Sequence, residues 1–131
     1  MPVMVRSPLE HKGLAWGQDV FFLGYPSGDM WGSVAFIKKA IVSAEEGIEI
    51  FLDGHNNGGF SGGPIIYQDQ TSGDMKIAGV ITNYLIETIL VEHTDHKILN
   101  ANVGIVVGHS INEAVKLIRE NGIIGLVVHA N

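Results

Sequence analysis

The sequence predicts a mainly β domain, a small antiparallel barrel with one helix at its C-terminal end. Two observations predict it. Short apolar runs rich in β-branched and aromatic residues recur along the chain, each bounded by glycine-rich or polar turns. A clear helix-start signal stands near the end, where Ser110-Ile111-Asn112-Glu113 forms a Ser-x-x-Glu capping box.

Taken in order, residues 1–16 are mixed and weakly patterned, with Pro2 and Pro8, and read as an arm or interdomain linker before a domain spanning 17–131. Residues 19–24 form a short apolar strand, and Tyr25-Pro26-Ser27-Gly28-Asp29 is a turn. The apolar spacing of residues 32–44 fits a helix as well as a strand, and their β-branched content favours strand. Residues 48–52 and 64–67 are strand-like and flank a glycine loop. Residues 68–74 make a polar hairpin turn, from which 76–85 return as a long strand. An apolar run at 89–91 and a polar stretch at 92–97 mark 86–102 as a hairpin-like insertion, and 103–107 as the last barrel strand. In the helix, Ile111, Val115 and Ile118 make the apolar stripe, and Gly122 closes it near Asn121. The apolar tail 123–128 suits one more strand.

Composition bounds the function. With 131 residues, 46% of them hydrophobic and 17% charged, the chain fits one globular domain with a real core. Its formal net charge of −6, with no basic cluster beyond Lys38-Lys39, argues against a nucleic-acid partner. No apolar run approaches a membrane span, and residues 1–13 lack the apolar stretch of a signal peptide. There are no cysteines, so disulfide stapling is excluded, which suits a bacterial cytoplasmic or periplasmic protein. No cofactor or metal is expected. His93-Thr94-Asp95-His96 has two histidines flanking a carboxylate but no further ligands nearby, and reads as a solvated hairpin tip.

The stretch that carries chemistry is Gly58-Gly59-Phe60-Ser61-Gly62-Gly63-Pro64. Glycine allows positive φ and close approach of other groups. Such a loop can aim a hydroxyl outward and turn amide N–H groups toward one point, as an oxyanion in acyl transfer requires. A phosphate-binding loop needs a lysine after its glycines, and none follows here.

Gly59-Phe60-Ser61-Gly62-Gly63-Pro64 resembles the Gly-x-Ser-Gly-Gly-Pro signature of the chymotrypsin/trypsin-like serine peptidases. Residues 17–26, Gly79-Val80-Ile81-Thr82-Asn83-Tyr84 and Gly104-Ile105-Val106-Val107 resemble, in order, the opening, substrate-pairing and closing strands of that family's second barrel. The resemblance covers residues 17 to about 119 and one half of the family's fold. It implies a six-stranded antiparallel barrel of the trypsin-like type, with Ser61 as nucleophile and the N–H groups of Gly59 and Ser61 as oxyanion hole. It further implies that His55, with Tyr84 and Gly104, shapes a specificity pocket, and that Thr82, Asn83 and Tyr84 offer backbone to a peptide or protein substrate. From the residues alone, His55 reads equally as an exposed loop histidine, and 82–84 as an ordinary strand end.

A serine hydroxyl needs a base, and the base an orienting partner. In the family both lie in the first barrel, which has no counterpart here. His11, the one histidine before residue 17, lacks the family's setting for the base, and His109 and His129 read as structural or exposed. The chain is thus expected to be an endopeptidase half, inactive alone, whose exposed apolar face seeks the missing N-terminal barrel or a second copy. Phe60 stands where the family has Asp or Asn. It accepts no hydrogen bond, leaving apolar packing to hold the loop. The alternative is a barrel without catalysis that binds peptides or serves a structural role.

Overall fold

The computed structural model describes residues 14–26, 34–56, 58–90 and 98–122. Six antiparallel strands close into a barrel: β1 (Asp19–Gly24), β2 (Phe36–Glu46), β3 (Glu49–Asp53), β4 (Pro64–Gln68), β5 (Met75–Leu90) and β6 (Ile98–Ser110). Their order around the barrel is β1-β2-β3-β6-β5-β4, and one helix, α1 (Ile111–Glu120), follows.

Alternation builds the core, because successive side chains of a strand point to opposite faces. The inward phase supplies Val20 and Phe22 from β1, Ala40 and Val42 from β2, Ile50 and Leu52 from β3, and Ile65 and Tyr67 from β4. Ala78 and Ile81 of β5 and Val106 of β6 complete it. Burying each of the larger side chains contributes about 1.5–3 kcal/mol. Register shifts at Val42/Ala44, Ile65/Ile66 and Ile81/Asn83 add the local twist that lets so few strands close.

Residues 36–46 settle the helix-or-strand ambiguity. One edge of β2 is laddered to β1, from Asp19↔Ile41 to Gly24↔Phe36, and the other to β3, from Ile41↔Asp53 to Glu46↔Glu49. Tertiary pairing on both sides outweighs the local apolar spacing. On the outer phase of the same strand Ile37 and Ile41 are exposed.

Within the expected hairpin-like insertion, residues 86–90 and 98–102 pair as an antiparallel ladder from Ile86↔Asn102 to Leu90↔Ile98, formed by β5 and β6 themselves. Leu14, within the expected arm, is buried in the core cluster, and its N–H donates to Glu45 Oε1 at 3.0 Å.

Helix α1 buries Ile111 and Val115. Ser110 caps it by accepting from the Asn112 N–H at 3.3 Å, one residue short of the Glu113 that a capping box would engage. Among the described residues no helix is long and apolar enough to cross a membrane. The expected tail strand at 123–128 and the His93-Thr94-Asp95-His96 tip lie outside the described residues.

Candidate active site on the glycine loop

The loop from Gly54 to Gly63 crosses one end of the barrel between β3 and β4. Its second half is a β-turn in which the Gly63 N–H donates to the Phe60 carbonyl at 2.9 Å. Ser61 and Gly62 are the central residues, and Gly62 has φ +85°, the left-handed third position of a type II turn. The turn is stitched to β5 by two backbone bonds, Gly62 N–H to Ile81 C=O at 2.7 Å and Ile81 N–H to Gly63 C=O at 2.8 Å.

Close approach requires glycine at Gly63 and at Gly24 of β1. A Cβ on Gly63 would lie 1.8 Å from the Leu23 carbonyl oxygen, and one on Gly24 would lie 2.7 Å from that of Gly59. No larger residue fits either place without moving backbone. The Tyr25 N–H donates to the Gly59 carbonyl at 2.8 Å and fixes the other side of the turn to the end of β1.

Phe60 anchors the loop from beneath. Its side chain is 2% exposed and meets the Phe22 ring edge-on, with centroids 5.4 Å apart and planes at 77°. Such a pair is worth about 0.5–1.5 kcal/mol beyond the area it buries. Lys38, the register partner of Phe22, places its Nζ 5.3 Å from the Phe60 centroid and donates to the His55 carbonyl. A cation therefore ties the start of the loop to its buried anchor. Packing and a lysine together hold a position that has no hydrogen-bonding side chain.

Ser61 is exposed at the rim of this arrangement, and its hydroxyl donates to the Thr82 carbonyl at 3.1 Å. The N–H groups of Gly59 and Ser61 donate to nothing among the described residues. A cleft of about 430 Å³ opens beside the serine, lined by Leu23, Gly24, Tyr25 and Ala35 on one side and by Gly59 and residues 61–64 on the other.

The other expected site residues stand apart from that cleft. His55 is exposed, and Gly104 is its near neighbour through the Gly54 N–H, which donates to the Gly104 carbonyl at 3.0 Å. Tyr84 pairs with Val106 in the β5–β6 ladder. The Thr82 hydroxyl lies 3.1 Å from the Val107 carbonyl and 3.2 Å from Asn83 Oδ1, and can donate to one of them at a time. Ser61 and Gly59 thus share the cleft and Thr82 meets Ser61 through its carbonyl, while Thr82 itself, His55, Asn83, Tyr84 and Gly104 lie outside the cleft lining.

Asn56, a residue type common in turns, is 1% exposed; its carbonyl accepts from Asn102 Nδ2 at 2.8 Å, and its Oδ1 has no partner among the described residues. Lys38 and the cleft-lining Leu23, Gly24, Tyr25 and Ala35 were not among the expected site residues. A signal for Lys38 was present, since it shares the inward phase of Phe36, Ala40 and Val42.

The described histidines are His55 and His109, and neither is hydrogen-bonded to Ser61. The Thr82 carbonyl can accept the serine's hydrogen bond but is far too weak a base to take its proton. Among the described residues no group of three or more His, Cys, Asp or Glu side chains is placed to hold a metal ion. No family model and no curated protein matches the chain.

Proposed function

We propose that this barrel is the nucleophile-bearing half of a serine peptidase that works by acyl transfer. The observation that carries the proposal is the presentation of Ser61 on a glycine turn at the rim of a cleft, with the Gly59 and Ser61 N–H groups uncommitted among the described residues. In this reading Ser61 Oγ attacks the scissile carbonyl carbon and its proton passes to a base. The carbonyl oxygen takes the negative charge and is held by those two N–H groups. As the C–N bond breaks, the base returns the proton to the leaving amine. Water then attacks the ester, releasing the acid and restoring the Ser61 hydroxyl.

The base and its orienting partner come from outside the described barrel, in a further domain or another chain. The barrel by itself is accordingly inert. A second reading, a barrel that binds peptides without cleaving them, is favoured by the Ser61 hydroxyl donating to a carbonyl rather than to a base.

A fluorophosphonate probe separates the two. The expected result is labelling of Ser61 when the chain is joined to the barrel that supplies the base, and none with the chain alone. Absence of labelling in both, with both folded, would leave the binding reading.

A further inference from the structure

Three steps in the sequence join an aspartate or asparagine to glycine: Asp53-Gly54, Asn57-Gly58 and Asn121-Gly122. Such steps share one reaction. The glycine amide nitrogen attacks the side-chain carbonyl carbon of the residue before it, and a succinimide ring closes. From asparagine the C–N bond of the side-chain amide breaks, and the leaving nitrogen takes the proton given up by the glycine and departs as ammonia. Water then opens the ring at either carbonyl, giving aspartate or isoaspartate. Glycine favours the attack because no Cβ crowds the approach. A hydrogen bond from the same N–H opposes it, since the nitrogen must first leave its partner.

The fold treats the three steps differently. At the first, the Gly54 N–H donates to the Gly104 carbonyl at 3.0 Å. At the third, the Gly122 N–H donates to the Arg119 carbonyl at 3.4 Å. Asn121 Nδ2 donates to the Leu117 carbonyl at 2.8 Å, which holds that side chain against the last turn of α1. Gly58 is exposed, and its N–H donates to nothing among the described residues. Asn57 lies outside those residues. Its contribution is its residue type, a side-chain amide on the residue bonded to the Gly58 nitrogen.

Both flanks of this step are fastened. Before it, Lys38 donates to the His55 carbonyl, and Asn102 Nδ2 to the Asn56 carbonyl at 2.8 Å. After it, the Tyr25 N–H donates to the Gly59 carbonyl at 2.8 Å, and the Phe60 ring is buried against Phe22. A change at residue 57 is therefore absorbed between the Asn56 and Gly59 carbonyls. The peptide unit joining Gly58 to Gly59 falls in that interval, and it carries the Gly59 N–H.

We propose that Asn57-Gly58 is a site of spontaneous deamidation, through which the glycine loop weakens its oxyanion donors as the protein ages. Aspartate at 57 adds a negative charge two residues from a group that is to hold another, and the two repel. Isoaspartate adds the same charge and lengthens the main chain by a methylene between the two fastened carbonyls. The modification stands on the loop's own chemistry, while its effect at Ser61 rests on the acyl-transfer reading.

The test ages the whole chain in warm, mildly alkaline buffer and follows residues 57 and 121 by peptide mass spectrometry, which reads the exchange of an amide for an acid. In the chain held unfolded by denaturant, the two asparagines are expected to convert at similar rates. In the folded chain residue 57 should keep its rate, and residue 121 should slow by about tenfold because its hydrogen bonds must break first. With the base supplied, the aged chain and Asn57→Asp are both expected to be labelled by fluorophosphonate about tenfold more slowly than the fresh chain. Folding that slows both asparagines alike would overturn the site, and so would faster conversion at 121. Unchanged labelling of chain fully converted at 57 would overturn its effect on the oxyanion donors. If residue 57 converts as expected but fresh chain is never labelled at Ser61, the acyl-transfer reading fails and the deamidation site stands.

Discussion

Lys38 and Phe60 form one unit: the ammonium stands 5.3 Å from the ring centroid while it donates to the carbonyl of His55. Phe22 closes the unit from the other side, edge-on to Phe60 and in register with Lys38. The glycine turn is therefore held by a cation that grips the loop's main chain and a ring buried beneath it. Neither contact touches Ser61, so Lys38 is a positioning residue for the turn.

Replacing Lys38 by methionine keeps most of the apolar stem and removes the charge. The cation–π contact contributes about 0.5–2 kcal/mol, and the hydrogen bond to the carbonyl is of similar size. Lys38→Met is expected to lower stability by about 1–2 kcal/mol and to speed exchange of the loop's amides. With the base supplied, fluorophosphonate labelling should slow by about tenfold, equivalent to about 1.4 kcal/mol in the barrier. Lys38→Arg should restore labelling substantially, because a guanidinium can also donate to a carbonyl and stack over a ring. Unchanged labelling and exchange in Lys38→Met would show that packing of Phe60 alone holds the loop.

The two glycines after the serine are expected to respond differently to alanine. At Gly62 an added Cβ meets nothing within 4 Å, so the cost is that of holding a non-glycine residue at φ +85°, about 1–2 kcal/mol. At Gly63 the Cβ would sit 1.8 Å from the Leu23 carbonyl oxygen, and the turn must separate from β1. Overpacking of this kind costs about 1–3 kcal/mol or more. Thermal melts should rank Gly63→Ala below Gly62→Ala. They should also show Gly63→Ala altering the exchange of Leu23 and Tyr25, which Gly62→Ala leaves alone. Equal melts would mean that β1 yields easily to the turn.

The barrel was legible because its strands carry their own punctuation. Val20, Phe22 and Gly24 alternate with half-exposed neighbours, and the turns on either side are built from glycine and polar residues. The glycine loop was legible for the same reason, since four glycines around one serine have few other uses. Depth was not. Asn56 has the chemistry of a turn residue and is buried, and Leu14 sits in a weakly patterned arm yet joins the core. Turn propensity describes local backbone and carries no information about what folds over it. Lys38 was hidden by Lys39 beside it, because adjacent lysines read as a charged patch, although in a strand they point to opposite faces. The hairpin character of 86–102 was legible from its apolar flanks around a polar stretch, but not that residues 86–90 and 98–102 belong to the same strands as 75–85 and 103–110.

The hairpin between β4 and β5 offers a test by pH. Asp69 Oδ2 accepts from Lys76 Nζ, and its Oδ1 accepts from the N–H groups of Thr71 at 2.8 Å and Ser72 at 3.1 Å. The hydrogen bond from Lys76 is the largest cause, followed by those from the Ser72 and Thr71 N–H groups, of a carboxyl pKa lowered to about 2. The unfolded chain has an ordinary aspartate near pH 3.9. A pKa lower in the folded state means that the unfolded state binds the proton more readily. The stabilisation from Asp69 is therefore fully present above about pH 4 and is lost as the pH falls toward about 2. Asp69→Asn keeps one acceptor for the turn and removes the charge. It should flatten the part of the stability–pH profile between those limits while changing little in the slope above it, which denaturant melts at half-unit pH steps would resolve. A carboxyl of Asp69 titrating near pH 4 in the folded protein, followed by its carbon-13 shift, would overturn the assignment.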